Sequence, residues 1–256
     1  MPKRSPEPAS NRLIDCLPEL QRQEFLSECR PAELQFGQPL GLPGDPIKKV
    51  YFPLTAFISR VTPIDRHPPL EVGLIGNEGM LGETLWLGQD RHPTQVLVQG
   101  SGTALEMSTA QFLRQLKANP SLAPIVSRYL FVLIEHLAQN AACHAFHELR
   151  ERLVRWLLMT HDRAPGDHLE LTHQFLSDML GVRRSAVTIA ASDLQYRGLI
   201  RYARGHIQIL SRAGLEEITC ECYAASVQAY ERQFSDAPVP LCGHAGNSTD
   251  SRPAAV

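Results

Sequence analysis

Residues 169–210 read LELTHQFLSDMLGVRRSAVTIAASDLQYRGLIRYARGHIQIL. Thr172 is a helix-capping residue type, and Phe175, Leu176, Met179 and Leu180 after it recur at helical spacing. Gly181 can take a positive φ and is followed by the apolar Val182. A second helix runs from about Arg184 to Arg197, with Val187, Ala190, Ala191 and Leu194 on its inner face. The small Ser177 lets the two helices approach, and the glycine makes the turn between them. These offsets predict a helix-turn-helix.

The outward residues at the start of the second helix are Arg183, Arg184, Ser185 and Thr188. In this motif such positions enter the major groove of DNA, where arginine can bond guanine O6 and N7 together and hydroxyls reach phosphates or base edges. The helix N-terminus adds free N–H groups and the positive end of a dipole for a phosphate. After Gly198, Leu199–Ala203, the turn Arg204-Gly205 and His206–Leu210 predict a two-strand hairpin, or wing, with Arg201, Arg204 and His206 near its tip to grip the backbone.

Charge supports this reading. Between Gly181 and Arg212 stand six arginines (183, 184, 197, 201, 204 and 212) and one acid, Asp193, a local balance of +5 in a chain of net charge −2. Phosphate binding needs a local patch and not a basic whole. A helical hairpin with solvated arginines would account for the helices alone, but not for the wing together with the charge bias.

Working outward, residues 1–10 and 235–256 are rich in Pro, Ser, Gly and Ala and read as disordered tails. A first helix is predicted over about Asn11–Cys29, with Leu13, Ile14, Leu17, Leu20 and Leu26 inward. From about Leu34 to Met107, short apolar stretches (VYF, AFISRV, LEVGLI, TQVLVQ, TALEM) alternate with turn sequences, the pattern of a small antiparallel sandwich or barrel. Ser108 and Gln111 fit a capping box that opens a short helix to about Ala118. A longer helix, from near Pro124 to about Asn140, is apolar almost all round, which implies a second partner. Val126, Leu130, Leu133 and Leu137 share a 3/4 spacing and are assigned to a homodimer seam; burial between two domains of one chain is the alternative. Leu149, Leu153, Trp156, Leu157 and Met159 mark another amphipathic helix.

A β-rich N-terminal domain, a long helix and a winged helix-turn-helix, in that order, resemble the cyclic-AMP receptor protein and FNR (CRP/FNR) superfamily of bacterial transcription regulators. The resemblance covers about residues 11–230 and is most specific in Thr172–Leu210 and in GNEGMLGETLWLG (76–88), which is similar to the glycine-bounded turn of that family's β-roll. It implies an α+β chain: a cyclic-nucleotide-binding-like β-roll with flanking helices over 11–120, a dimerisation helix over 121–145 and a winged helix-turn-helix over 146–234. It further implies a homodimer on a double-stranded, two-fold-symmetric DNA operator with half-sites about 34 Å apart. Arg184 becomes the expected base reader, and RNA polymerase a candidate partner.

The resemblance also puts an effector site in the roll. Gly82-Glu83 match the family's Gly-Glu pair, and Glu83 can accept from a ribose hydroxyl. Cyclic-nucleotide binders continue with Arg-Ser/Thr-Ala; this chain has Arg91-His92-Pro93-Thr94, where the proline removes a backbone donor. Gly82, Glu83, Arg91 and Thr94 are thus the candidate effector residues, and the departure argues against cyclic AMP. No cofactor is expected; a cyclic-nucleotide-responsive regulator of the same fold is the alternative. FNR-type oxygen sensing needs clustered N-terminal cysteines, whereas Cys16 and Cys29 are 13 apart with no third nearby.

A metal- or haem-binding redox sensor, using Cys143, His144 and His147 or Cys220 and Cys222, is a further alternative. A Cys-x-Cys pair on one helix would point its thiols to different faces, so no metal is expected. The six cysteines and the N-terminal sequence predict reduced thiols in the cytoplasm. No apolar run approaches the roughly 18 residues of a membrane span. Nucleophile elbow, phosphate loop, zincin helix and dinucleotide fingerprint are all missing from the sequence, so an enzyme is not expected.

Overall fold

In a computed structural model, which describes residues 10–235, two sheets fold over each other and a long helix leads from them to a second, helical block. The expected tails at 1–10 and 235–256 lie outside the described residues, save Ser10 and Ser235. In chain order the first part contains α1 (Arg12–Asp15), α2 (Glu19–Glu28), β1 (Arg30–Leu34), β2 (Pro39–Gly41), β3 (Lys49–Pro53), β4 (Phe57–Ile64), β5 (His67–Ile75), a 3-10 turn (Glu83–Leu87), β6 (Gln95–Gly100) and β7 (Gly102–Ser108). Then come α3 (Thr109–Ala118), α4 (Leu122–Phe146), α5 (Leu149–His161), β8 (His168–Glu170), α6 (His173–Leu180), α7 (Arg184–Tyr196), β9 (Ile200–Ala203), β10 (His206–Ile209), α8 (Arg212–Ile218) and α9 (Cys222–Phe234).

The roll consists of a four-stranded sheet, β2-β6-β4-β5, and a three-stranded sheet, β1-β7-β3, with antiparallel pairing throughout. β4 is covered on both faces, by the roll core on one and by the second block on the other. Along β4, Phe57, Ile58, Ser59 and Val61 are buried while Arg60 and Thr62 are less so, and Ile58, Ile75, Val96 and Val98 meet in the roll's own core. Phe25, Phe52 and Phe112 stack at the side where α2, α3 and α4 close over it, with Phe25 edge-on to Phe52 at 5.3 Å between centroids.

The five strands expected from apolar stretches are all present, and two more, β1 and β2, precede them. The single helix expected over Asn11–Cys29 is instead two. Pro18 caps α2 in a non-helical conformation (ψ 145°), and the break leaves Leu20 and Leu26 exposed while Leu13, Ile14, Leu17 and Phe25 are buried. The capping box at Ser108 and Gln111 is formed from both sides. The long helix runs past Asn140 to Phe146, so Cys143 and His144 belong to its last turn.

The second block packs around Leu153, Leu157, Leu176, Val187, Leu194, Ile207 and Leu215. It also packs on the roll. Val61 belongs to the same buried cluster, Phe175 lies 5.6 Å from Phe36 between centroids, and Arg163 at the end of α5 donates to Glu78 Oε1 through Nε (2.9 Å) and Nη2 (2.6 Å). Between the two bodies lies Glu71, 8% exposed, accepting from Ser59 Oγ (2.6 Å) and Trp156 Nε1 (2.8 Å).

Candidate nucleic-acid interface

The helix-turn-helix forms where its residues dictate. Thr172 accepts from Phe175 N–H (3.0 Å) and starts α6. Gly181 ends it in the left-handed region at φ 63°, and Val182 N–H returns to Ser177 O at 3.0 Å, closing the turn over the buried Ser177. Leu176, Val187, Ala190, Ala191 and Leu194 are all buried, as their spacing requires.

α7 begins after Arg183, which caps it without a side-chain hydrogen bond. The first N–H groups of the helix therefore point outward with no intrahelical acceptor. Arg183, Arg184, Ser185 and Thr188 are all exposed. Thr188 is less free than its position suggests, because its hydroxyl donates to Arg184 O (3.0 Å) and lies 3.0 Å from His173 Nδ1. The His173 ring stacks on Tyr202 at 3.9 Å, and burial together with the Arg184 guanidinium holds its pKa below the usual imidazole range. Sequence reasoning passed over Ile189, 73% exposed one residue beyond Thr188. An apolar residue on this outer face is of a type that can meet a thymine methyl, and its place one residue after Thr188, outside the inner set Val187, Ala190, Ala191 and Leu194, was the available signal.

The wing is present but has three strands, β8-β10-β9, rather than two. β8 is only three residues long, His168–Glu170, too short for a periodic signal. Its turn pairs Ala203 with His206, and Arg204 (φ 50°) and Gly205 (φ 84°) both take positive φ, the conformation that matches the twist of a hairpin. Leu171 N–H bonds Gly205 O at 2.8 Å, which seats the wing turn beside Thr172, and the His173–Tyr202 stack ties the wing to the α6 and α7 ends. Arg201, Arg204 and His206 are exposed there.

The arginine excess divides in two. Arg197 pairs with Asp193 on its own helix, and Arg212 is held by Asp162, Glu216 and the Tyr223 hydroxyl, so these two stand outside the expected patch. Among the described residues, Arg183, Arg184, Arg201 and Arg204 have no carboxylate partner. The uncompensated charge thus lies at the start of α7 and along the wing.

The effector candidates divide as well. Gly82, Glu83 and Thr94 line a cavity of about 10 Å³ in the roll, together with Arg60 and His92. Arg91 does not line it; its guanidinium donates outward to Gly44 O at 2.7 Å. Arg60 takes the place expected of Arg91, with Nη2 at 2.6 Å from Glu83 Oε2, close but poorly directed for a hydrogen bond. A space of this size is at the lower limit for one water molecule.

The bare face of α4 differs from the stripe expected for a seam. Val126 is 1% exposed, turned into the core shared with the roll, and Leu130 and Leu133 pack partly against the same core. Of the expected four only Leu137 is on the bare face, at 51%, beside Phe131 (50%) and Ile134 (62%) and above Ala138 and Ala141. The uncovered apolar stripe lies roughly a quarter-turn from the expected one.

Comparison with known proteins agrees with this architecture. Residues 151–218 match the Crp-like helix-turn-helix domain family. The CRP-like protein Clp of Xanthomonas campestris pv. campestris is 26% identical over 185 residues, covering 66% of this chain and 78% of Clp, and Clp of Xanthomonas oryzae pv. oryzae is 25% identical over the same length. Among solved structures, FixK2 from Bradyrhizobium japonicum superposes with a TM-score of 0.63 at 13% identity, covering 75% of this chain and 98% of FixK2. The c-di-GMP responsive global regulator CLP of Xanthomonas campestris superposes with a TM-score of 0.61 at 19% identity, covering 76% and 100%. Residues 151–218 thus form a Crp-like helix-turn-helix domain, and the roll, the long helix and the winged motif follow one another in the fold that these solved structures share.

Proposed function

We propose that the chain acts as a homodimer that reads a two-fold-symmetric DNA operator, α7 entering the major groove and the wing lying along the backbone. Arg184 reads a guanine, with Ser185 and Thr188 beside it. Thr172, Arg183, Arg201, Arg204 and His206 hold phosphates. In this division residues 11–120 are the sensor-like roll, 121–145 the seam helix and 146–234 the reader, and RNA polymerase is a partner on promoter DNA in the cytoplasm. The observation that carries the reading is the set of four arginines, gathered at the start of α7 and on the wing, that have no carboxylate partner among the described residues. Free cations at a helix N-terminus and a wing are what a polyanion with a groove requires.

The seam follows from the bare stripe Phe131, Ile134 and Leu137. A second copy of α4 laid on it removes those side chains from water and sets the distance between two reading helices. A signal in the roll acts by shifting the population of dimers with the right spacing. The roll of this chain is filled by its own Arg60–Glu83 pair, which supports an effector other than cyclic AMP. Because its relative CLP is c-di-GMP responsive, a cyclic dinucleotide is the first ligand to add.

The test is selection from random DNA by the full chain, alone and then with cyclic mono- and dinucleotides, alongside Arg184→Ala. Wild type enriches a two-fold-symmetric motif, and the variant loses about 1–3 kcal/mol of discrimination at one base pair of each half-site. A single, unrepeated half-site would remove the dimer from the reading. Equal loss of specific and non-specific affinity would reduce Arg184 to a phosphate contact.

A further inference from the structure

At the C-terminal end of α4, four side chains outside the proposed DNA-reading set meet. Cys143 is in the last turn of the helix, and His147, its C-cap, follows one turn later with its N–H on Cys143 O at 3.1 Å. The i, i+4 spacing puts thiol and imidazole on one side of the helix. Cys220 and Cys222 come from 73 residues further along the chain. They do not share a helix: α8 ends at Ile218 and α9 begins at Cys222, so Cys220 sits in the break and its thiol turns back beside that of Cys222.

The donor atoms of Cys143, His147, Cys220 and Cys222 all lie within 4.8 Å of one another. Cys143 Sγ is 3.7 Å from Cys220 Sγ, and Cys222 Sγ is 3.4 Å from His147 Nδ1. A tetrahedral zinc with ordinary bond lengths has edges of about 3.8 Å between sulfurs and about 3.6 Å between sulfur and nitrogen. A disulfide would need about 2.05 Å, so the sulfurs stand at the separation of ligands around an ion and not of a bond.

The surroundings are those of a ligand set. The three thiols are buried, at 1%, 5% and 1% exposure, and form a small cluster of their own. His147 Nε2 lies 3.3 Å from Glu221 Oε2, an acceptor that favours a proton on that nitrogen, and Nδ1 is the ring nitrogen on the side of the thiols. Gln139 Nε2 donates to Cys222 Sγ at 3.0 Å, a bond that strengthens when the sulfur is a thiolate. Arg152 and Arg155 border the same end, around a hollow that Cys143 also lines. His144, adjacent in sequence, is not a ligand, because its Nδ1 is taken by Arg152 Nη2 at 2.6 Å.

We propose that Cys143, His147, Cys220 and Cys222 hold one zinc ion as a closed Cys3His site. Binding forms three Zn–S bonds and one Zn–N bond, and the three thiols release their protons to solvent. The resulting unit carries a charge of about −1, which the arginines of α5 offset. With four protein ligands it has no open position for a substrate, so its work is mechanical. It fastens the C-terminal end of α4 to the chain just beyond the wing, and so fixes the angle between the long helix and the reading block. Thiolate-rich tetrahedral donors select zinc or iron over calcium, magnesium or manganese.

Elemental analysis of the full chain, purified with reductant and without a histidine tag, decides the matter. The expected result is one zinc per chain and a colourless protein. Replacement by Co(II) gives the intense visible bands of a tetrahedral site with thiolate-to-metal charge transfer in the near ultraviolet. Cys222→Ser lowers zinc affinity at least tenfold, while Cys29→Ser, whose thiol bonds Phe25 O away from the cluster, retains full occupancy. Should Cys222→Ser fail to fold, the wild-type zinc content and Co(II) spectrum still decide. Folded wild type that takes up neither zinc nor Co(II) at micromolar concentration overturns the site. Iron in place of zinc, an octahedral Co(II) spectrum, or peptide mapping that finds Cys143 and Cys220 bridged in anaerobically prepared protein each overturns it too.

Discussion

Arg60 and Arg184 carry the same guanidinium into opposite surroundings. Arg60 points into the roll, where its own chain supplies the carboxylate of Glu83, itself 2% exposed, and the remaining space is about 10 Å³. Arg184 stands exposed at the first turn of α7, with no carboxylate near it among the described residues and open helix N–H groups beside it. A buried charge is satisfied inside the fold or the fold fails; a surface charge left unpaired costs little and is available to a partner. The fold has thus satisfied one guanidinium with its own carboxylate and left the other open. The open one is where the proposed function puts the DNA.

That contrast breaks most visibly at the closed position. Arg60→Ala leaves Glu83 buried and unpaired, and should lower unfolding stability by about 3–5 kcal/mol, read from the urea midpoint at constant m-value. Exchanging both partners for apolar residues of similar volume, Arg60→Met with Glu83→Leu, should recover most of that loss. A loss below about 1 kcal/mol in the single variant would mean that water reaches the roll interior and that the position is open after all.

A second buried carboxyl sharpens the comparison, since Glu71 lies where the roll meets the reading block and has no cation bonded to it among the described residues. Burial pushes its pKa up from the ordinary 4.5 to about 7, against the hydrogen bonds of Ser59 and Trp156. The sign follows from proton uptake. Between these two values the folded chain holds a proton that the unfolded chain has lost, so stability is full below about 4.5, falls as pH rises, and is lost above about 7. From pH 5 to pH 8 wild type should lose about 2–3 kcal/mol more than Glu71→Gln, whose amide is neutral throughout. Parallel stability curves for the two proteins would show that the carboxyl is solvated.

The helix-turn-helix was more legible than the roll, for a physical reason. Everything that makes the helix-turn-helix is local: a cap at Thr172, a positive φ at Gly181, and inner residues at i, i+3 and i+4. β1 and β2 were missed because RPAEL and PLG contain proline and no strict alternation, and are held in place by β7 and β6 from more than fifty residues away. The long helix lies where its apolar run predicts, but its bare face is not the stripe Val126, Leu130, Leu133 and Leu137. A helix that is apolar all round offers several 3/4 stripes, and only the packing of Val126 and Tyr129 into the roll decides which remains outside. Arg60 gave no signal at all, one arginine in an alternating strand, until the fold brought it to Glu83. The thiol cluster was half visible: Cys143 and His147 share a helical turn, but nothing in Cys220-x-Cys222 announces that a helix break separates them.

The gentlest test of the comparison is at the wing. Arg204 occupies the turn of the β9–β10 hairpin at φ 50°, next to a glycine that seats the turn against Thr172. Its guanidinium is exposed and, unlike Arg197 or Arg212, has no acidic neighbour among the described residues. A tip residue of this kind meets phosphates rather than base edges, so its charge is worth the counterions that it displaces. Arg204→Gly, which keeps the positive φ and removes the charge, should weaken specific and random DNA alike by a few-fold at low salt. It should reduce the slope of log affinity against log salt by about 1 per wing. An unchanged slope would place the wing off the DNA and leave α7 as the whole interface. A loss confined to the specific operator would instead make Arg204 a minor-groove reader, and the division between a base-reading helix and a backbone-holding wing would have to be redrawn.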